Sequence, residues 1–321
     1  MGQTLTPKEQ LDILLGLLPP YIRLSVSSTE PNPSTSLAAQ SSIYAHRFGG
    51  GQTLPMWDGT IFRPVVITAG LTTTLASMTA EKLYDMFVWM DGTTMRLVRG
   101  QPWTSATARD ASYLLSTVNG IDVNVTQQTV YVGSTTYTMP AGYGTYVGTI
   151  LASAATTIEW TAIEKGLWNK YNRVRESLKI CPGYVNDAVN TLIYTASPTL
   201  IEMNGANNGR VKFVLGEPAC ILANASGLGN GGASDYYVLG IGIDAVTAKV
   251  QSWSIFGPTL SPTACSDNND GVPLPIGSHY VSILIGTYTA VTATIYADLG
   301  NYRKGAAADP ALTYLIVSLE M

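Results

Sequence analysis

The sequence has few charged residues and few histidines, and both shortages limit its chemistry. Asp, Glu, Lys and Arg make up 12% of the 321 residues, about half of the roughly 25% usual in globular domains. The net charge is −4, and no basic tail or long run of one charge occurs, so we expect no nucleic-acid partner. His46 and His279 are the histidines available for acid–base or metal chemistry. With no motif for a Ser or Cys triad beside them, we predict no enzyme activity, cofactor or metal site.

Long apolar runs and internal repeats are also missing. No stretch approaches the ~20 apolar residues of a membrane span, and the apolar run at 13–18 is too short for a secretory signal. We therefore expect no membrane insertion, and synthesis in a cytoplasm where the chain stays soluble or joins a particle. Without a repeat of about 20–50 residues, a propeller or solenoid is disfavoured.

The three cysteines are few and widely spaced. Cys181, Cys220 and Cys265 form an odd set that fits neither a disulfide framework nor a metal-binding Cys-x-x-Cys pattern. The spacing predicts separate reduced thiols in apolar sites.

The first 42 residues predict a helix and a tether. Thr6, Pro7 and Glu9 form a good helix start, and Pro19-Pro20 ends it. The apolar stripe follows the i, i+3, i+4, i+7 rule and consists of Leu11, Leu14, Leu15 and Leu18. A helix this short is marginal alone, so its stripe docks either on a partner or on the chain's own β-structure. Residues 25–42 are rich in Ser, Thr and Pro, which predicts an extended linker or a strand that crosses onto a neighbour.

The remainder is β-patterned, so the predicted fold class is mainly β. Residues 43–164 form the first predicted β-domain, with hairpins at Asp91-Gly92 and Gly133-Ser134. Residues 177–321 form a predicted jelly-roll-like sandwich. Its expected strands are 177–180, 191–194, 200–203, 211–215, 220–223, 236–243, 248–255, 279–287, 291–297 and 311–319. Few charges and many Thr, Ser, Asn and Gly favour β-structure whose surface is hidden in an assembly.

A junction at residues 165–176 combines aromatic, amide and basic side chains. It includes Trp168, Asn169, Tyr171, Asn172 and Arg173. Rings that stack and guanidinium groups that reach phosphates or carboxylates would make it a binding groove. Alternatively, the rings fill the gap between two packed domains while the polar groups satisfy backbone atoms. The second interpretation is our default.

Two other patterns are weaker site candidates. Residues 227–232 fit Gly-x-Gly-x-x-Gly, but a strand pattern follows instead of a helix, which predicts a hairpin connection rather than a phosphate cradle. Residues 267–271 resemble a calcium loop but lack the Glu expected at the twelfth position, which predicts a surface turn. Scattered carboxylates indicate no particular glycosidase pair.

An ordered series of short motifs runs over residues 43–176. The motifs are Leu54-Pro-Met-Trp-Asp-Gly-Thr60, Lys82-Leu-Tyr-Asp-Met-Phe-Val88, Trp103, Val118-Asn-Gly-Ile-Asp-Val123, Thr135-Thr-Tyr-Thr138, Gly144-Thr-Tyr-Val-Gly-Thr149 and Trp168-Asn-Lys-Tyr-Asn-Arg-Val174. In this order they resemble the fibre, spike, collar and tail components of tailed-bacteriophage virions, and the resemblance is looser at 239–244 and 279–280.

This resemblance implies a structural protein of the virion, assembled in the cytoplasm of a host bacterium. It implies a homotrimer attached through its N-terminal segment to virion proteins of the head–tail junction, collar or tail. It supplies no catalytic residues. Loops at 227–232 and 266–271 are the candidates for contact with the host surface. An alternative role is recognition of a host-surface glycan by a lectin-like sandwich through exposed Trp or Tyr, and a glycan-degrading spike enzyme is less favoured.

Overall fold

The computed structural model describes most of the chain. The described residues are 20–49, 53–67, 70–180, 191–194, 200–203, 209–230, 237–245, 253–256, 261–287, 293–296 and 314–321. The predicted N-terminal helix, with Leu11, Leu14, Leu15 and Leu18, lies outside them. Within the described ranges, no helix is long and apolar enough to cross a membrane.

The described residues are mainly β, as predicted. Two short 3-10 helices occur, at Ala111–Tyr113 and Asn269–Gly271. The strands are β1 (Ile22–Ser25), β2 (Leu37–Gln40), β3 (Ser42–Arg47), β4 (Thr53–Trp57), β5 (Phe62–Val66), β6 (Thr72–Thr74), β7 (Leu83–Asp91), β8 (Thr94–Pro102), β9 (Leu115–Val118), β10 (Ile121–Asn124), β11 (Gln128–Val132), β12 (Thr135–Met139), β13 (Thr145–Leu151), β14 (Ile158–Trp160), β15 (Glu164–Lys165), β16 (Leu167–Asn169), β17 (Arg175–Ile180), β18 (Thr191–Tyr194), β19 (Ile201–Glu202), β20 (Arg210–Leu215), β21 (Leu222–Asn230), β22 (Tyr237–Ile243), β23 (Trp253–Phe256), β24 (Ser261–Asp267), β25 (Gly277–Thr287), β26 (Ala293–Tyr296) and β27 (Tyr314–Glu320).

An eight-stranded sheet lies at the centre of the first half. Its order is β12-β11-β8-β7-β13-β10-β9, with β16 also paired to β13. Both predicted hairpins are confirmed, as β7–β8 and β11–β12. Their turns contain Gly92 at φ +62° and Gly133 at φ +60°, a left-handed conformation that glycine adopts without steric cost. Two smaller sheets, β1-β3-β6 and β4-β5, accompany it.

The central sheet is covered on both faces, as the burial of every residue of β13 shows. Tyr146 packs into one core cluster, whereas the next residue, Val147, packs into another. The Val147 cluster includes Ile22, Leu24 and Ile43 from the N-terminal sheet. The first strands of the chain therefore form a layer of the body.

The second half contains a β-sandwich. One sheet has the order β2-β14-β15-β20-β25-β22-β23 with β19 on β25, and the other β17-β27-β21-β26-β18 with β24 on β21. Phe213 and Ile283 of the first sheet share a core cluster with Ala223 and Val317 of the second. The finer jelly-roll topology stays a prediction.

The two halves share a sheet and a core. Strand β15 pairs in parallel with β20, with Lys165 opposite Phe213. One core cluster contains both Leu83 and Val317. The division into domains at 165–176 stays a prediction. Residues before and after this junction belong to the same core cluster.

Three local expectations differ from the structure. Residues 25–42, predicted to be a tether, pack against the body instead. They include strand β2, and Pro33 O accepts a hydrogen bond from Trp160 Nε1 (3.4 Å). Gly227 and Gly229 lie inside β21, paired with β24, so the predicted loop there is wrong up to Asn230. Cys265 is buried as predicted, but Cys220 is exposed, and Cys181 lies outside the described residues.

Candidate functional site

An open cleft of about 440 Å³ lies beside the junction, on the sandwich. It forms where β17 starts, β27 ends and β21 starts. Across these strands Arg175 lies opposite Glu320, and Leu222 lies opposite Ser318. The lining residues are Arg173, Arg175, Pro218, Ala219, Cys220, Ile221, Leu222, Ser318, Leu319 and Glu320.

The two arginines of the cleft have different surroundings. Arg173 Nη1 lies 3.9 Å from Glu217, and its guanidinium carbon lies 5.5 Å from the centre of the Trp168 ring. Arg175 is exposed and makes no ion pair with another described residue. Arg175 is therefore the cation most available to a ligand.

Trp168 supports the wall behind Arg173. Its ring is fully buried and stacks on Tyr146, with ring centres 6.4 Å apart and planes 25° apart. Gly216 passes so near that a Cβ there would lie 2.3 Å from Tyr146 Oη, so the position requires glycine. The Trp168 Nε1 atom has no hydrogen-bond partner in the described structure.

A buried ion pair lies behind the stacked rings. Arg109 Nε donates to Asp85 Oδ2 (2.7 Å) and Arg109 Nη2 donates to Asp85 Oδ1 (3.2 Å). Burial lowers the pKa of Arg109, but Asp85 outweighs it and the net pKa is raised.

Hydrogen bonds extend this ion pair to both halves. Thr149 Oγ1 donates to Asp85 (2.9 Å), and the hydroxyls of Tyr146 and Thr149 lie 2.6 Å apart. Arg109 Nη2 also donates to Gly216 O (3.3 Å), at the end of the sandwich strand β20. Burial and then Asp85 raise the pKa of Tyr146 well above its usual value.

The two predicted asparagines hold the N-terminal strand in place. Asn169 Oδ1 accepts from Leu24 N (2.6 Å), and Asn169 Nδ2 donates to Leu24 O (3.2 Å), so this amide acts as a strand partner for β1. Asn172 Nδ2 donates to Pro20 O (2.8 Å) and Ile22 O (2.9 Å). Asn172 has φ +54°, a left-handed conformation that asparagine tolerates better than most residues.

The junction residues Lys170 and Tyr171 are partly buried. Lys170 Nζ lies 2.8 Å from Asp122 and also contacts Glu217. Burial opposes the charge of Lys170, but hydrogen bonds to both carboxylates raise its pKa overall. Burial is also the main cause of the raised pKa of Tyr171.

The structure separates the predicted junction into support and surface. Trp168 and Asn169 are internal, and Tyr171 and Asn172 are partly buried, whereas Arg173 reaches the cleft. The contacts of Trp168 and Tyr171 favour the interpretation in which the aromatic rings fill the space between packed elements. Within the described ranges, no group of three His, Cys, Asp or Glu side chains could hold a metal ion.

Sequence reasoning missed most of the cleft. Leu222, Ser318 and Glu320 come from strands that are distant in sequence, so no local motif joins them to Arg175. One signal was available: residues 314–320 alternate between core and surface, which places Ser318 and Glu320 on the same outer face.

Replacing Trp168 with alanine should lower the free energy of unfolding by about 3–5 kcal/mol, the usual cost of truncating a buried aromatic. Trp168→Phe should cost less, because Nε1 loses no hydrogen bond. Guanidinium denaturation measures both values. A Trp168→Ala protein as stable as the wild type would contradict the supporting role.

Comparisons with known proteins assign no family. No family model matches the chain, and no curated protein matches it. Cry8Ea1, an insecticidal delta-endotoxin from Bacillus thuringiensis, is similar at 8% identity and a TM-score of 0.23, over 94% of this chain and 52% of the toxin. This chain thus spans about half the length of that toxin.

Two virus structures are also similar. Infectious bursal disease virus of the Gt strain matches at 11% identity and a TM-score of 0.25, over 98% of this chain and 81% of the viral chain. The Gx strain matches at 8% identity and a TM-score of 0.24, over 93% and 71%. TM-scores of this size assign neither a fold nor a function to this chain.

Proposed function

We propose that the chain is a structural component of a tailed-phage virion: a fibre, spike, collar or tail protein that assembles as a homotrimer. In this role its N-terminal residues attach to virion proteins of the head–tail junction, collar or tail. Support comes from the ordered motifs of residues 43–176 and from the distribution of charge over the fold.

The inward placement of part of the small set of charges carries the proposal. Among the described residues, four ion pairs have both side chains at most 16% exposed: Asp85–Arg109, Lys165–Glu176, Asp122–Lys170 and Glu202–Arg210. The outermost strand β12, in contrast, exposes Thr135, Thr136 and Thr138. Since interface cores are depleted in charge, a surface of this kind suits a chain whose exterior meets other subunits.

A sheet edge flanked by exposed apolar side chains adds support. Strand β9 ends the eight-stranded sheet. Beside it Leu114 and Val125 are 46% and 45% exposed, and Val125 N donates to Leu114 O (3.0 Å). Open strand edges with exposed apolar side chains are natural places for subunit contacts, so we propose that another copy covers this edge.

The test is incorporation into particles. Replacing Leu11 and Leu15 together with aspartate should remove the chain from purified particles, because charge on the leucine stripe prevents docking. The variant should still sediment as the wild-type oligomer, at three times the monomer mass of 34.2 kDa. Asp12→Asn, outside the stripe, is the matched control and should incorporate normally. Immunoblots of density-purified particles give the readout.

Two outcomes would contradict the proposal: purified particles that lack the wild-type chain, or full incorporation of the double variant. A deletion is informative only up to residue 19. Further removal would damage the body itself, because Pro20 O and Ile22 O accept hydrogen bonds from Asn172.

A further inference from the structure

Arg175 lines two cavities. One is the cleft of about 440 Å³ described above. The other has a volume of about 300 Å³. The second cavity is lined by Asn32, Pro33, Ser34, Thr35, Ser36, Thr161, Ala162, Lys165, Arg175, Glu176 and Ser177. The two cavities have Arg175 as a common wall, and we call the pair of them the Arg175 groove.

The cationic part of the groove fits a carboxylate. Arg175 is exposed and makes no ion pair within the described structure, so its planar set of donors is free to bind a carboxylate in bidentate fashion. Arg173 lines the same cleft and forms an ion pair with Glu217 at 3.9 Å. The groove thus presents one fully available guanidinium and one partly engaged guanidinium.

The other walls fit a ligand rich in hydroxyl groups. Six hydroxyl side chains line the groove: Ser34, Thr35, Ser36, Thr161, Ser177 and Ser318. Glu320, exposed and opposite Arg175, can accept hydrogen bonds from ligand hydroxyls. Ile221 and Leu222 add an apolar wall, and Leu222 is 40% exposed. Such a wall suits the C–H face of a sugar ring.

The acidic neighbours disfavour a densely charged polyanion. Glu176 and Glu320 line the groove, and Glu217 lies beside Arg173. A nucleic-acid backbone places a phosphate at every nucleotide and requires a row of cations. A saccharide with one carboxylate per repeat brings one negative charge to Arg175 and neutral hydroxyls to the remaining walls.

We propose that the Arg175 groove binds an acidic saccharide. Its carboxylate binds Arg175, with Arg173 assisting. Its hydroxyls bind Glu320 and Ser318, and one ring face packs on Leu222. This inference does not rest on the proposed role in a virion, because it concerns a site on the isolated chain.

Cys220 provides a reporter inside the cleft. It is exposed and lines the groove, whereas Cys265 is buried and burial raises the pKa of its thiol to about 12. In a Cys181→Ser background, a thiol reagent should therefore modify Cys220 first. A ligand bound in the groove should slow this modification, whereas a ligand bound elsewhere should not.

The probes are trigalacturonate, sialyllactose and a hyaluronan tetrasaccharide, with galactotriose and lactose as neutral counterparts. At least one acidic probe should slow Cys220 modification about fivefold or more at saturation. The neutral counterparts should require at least about tenfold higher concentration. Inorganic phosphate tests binding of a free anion.

Variants assign the effect to Arg175. Arg175→Gln should weaken protection by the acidic probe about tenfold or more, and Arg175→Lys should weaken it less, since an ammonium keeps the charge without the planar fork. Lys179→Gln is the matched control: Lys179 is exposed on the same face of β17 but outside the groove, and its loss should leave protection unchanged.

Three outcomes would overturn the proposal. One is that no acidic probe protects Cys220. Another is equal loss of protection in Arg175→Gln and Lys179→Gln, which would indicate unspecific attraction to charge. The third is that inorganic phosphate protects as well as the acidic saccharides, which would leave a free-anion site only.

Discussion

Replacing Asp85 with alanine should lower the free energy of unfolding by about 3–5 kcal/mol, because removing one partner of a buried ion pair leaves the other charge without compensation. The side chains of Arg109 and Asp85 are 11% and 7% exposed, so little solvent is available to replace the lost carboxylate. The same change removes the acceptor of the Thr149 hydroxyl. Guanidinium denaturation followed by tryptophan fluorescence measures the loss.

A double variant separates charge from packing. Asp85→Leu combined with Arg109→Met removes both charges and keeps apolar volume, and such replacements of buried pairs are often close to neutral. We expect the double variant to be more stable than Asp85→Ala. A loss below about 1 kcal/mol for Asp85→Ala would mean that the pair contributes little, whereas a double variant at least as unstable would mean that the uncompensated Arg109 charge is not the cause of the loss.

Replacing Arg23 with methionine should cost about 3 kcal/mol or more. Arg23 is 1% exposed, and its guanidinium donates to Pro31 O (2.9 Å), Asn172 O (2.9 Å) and Met321 O (2.8 Å). Met321 O keeps Val174 N as a donor (2.9 Å). Pro31 O and Asn172 O, in contrast, lose the Arg23 donor, and a buried carbonyl left without a donor costs about 1–3 kcal/mol. The burial is also unfavourable for the charge, since it lowers the Arg23 pKa to about 10 despite the nearby Glu176.

The Arg23→Met variant should lose stability near the substitution as well as in overall unfolding. Hydrogen exchange should accelerate most at Val174 N and Met321 N, which pair with each other's carbonyls. Arg47→Met is the matched control, because that guanidinium donates to a single carbonyl, Ile67 O. Equal destabilisation by the two variants would show that the three-carbonyl contact of Arg23 has no special weight.

Local pattern predicted the hairpins but missed strand β24. Asp91-Gly92 places glycine where the turn needs positive φ, so a signal of two residues was sufficient. Strand β24 was missed because Pro262 and its small polar neighbours are typical of loops. Proline is tolerated there because, among the described strands, β24 pairs with β21 alone, and a strand paired on one side can leave one backbone position without an N–H donor.

The junction and the cleft show why site prediction was partial. The composition of residues 165–176 pointed to an internal support, but the partners of Asn169 and Asn172 lie about 150 residues earlier in the chain. No local pattern connects Asn169 with Leu24, or Arg175 with Glu320 and Leu222. These contacts form between strands that are distant in sequence, so residue spacing along the chain cannot predict them.

The parallel pairing of β15 with β20 has a consequence for any attempt to divide the protein. A fragment that begins at residue 177 would keep β20 but lose the neighbour that now pairs with Lys212 and Phe213. The bare backbone N–H and C=O groups on that side would be a template for a strand of another molecule. Cutting the chain at the end of the junction 165–176 would therefore replace an internal strand pairing with an open sheet edge that promotes association between molecules.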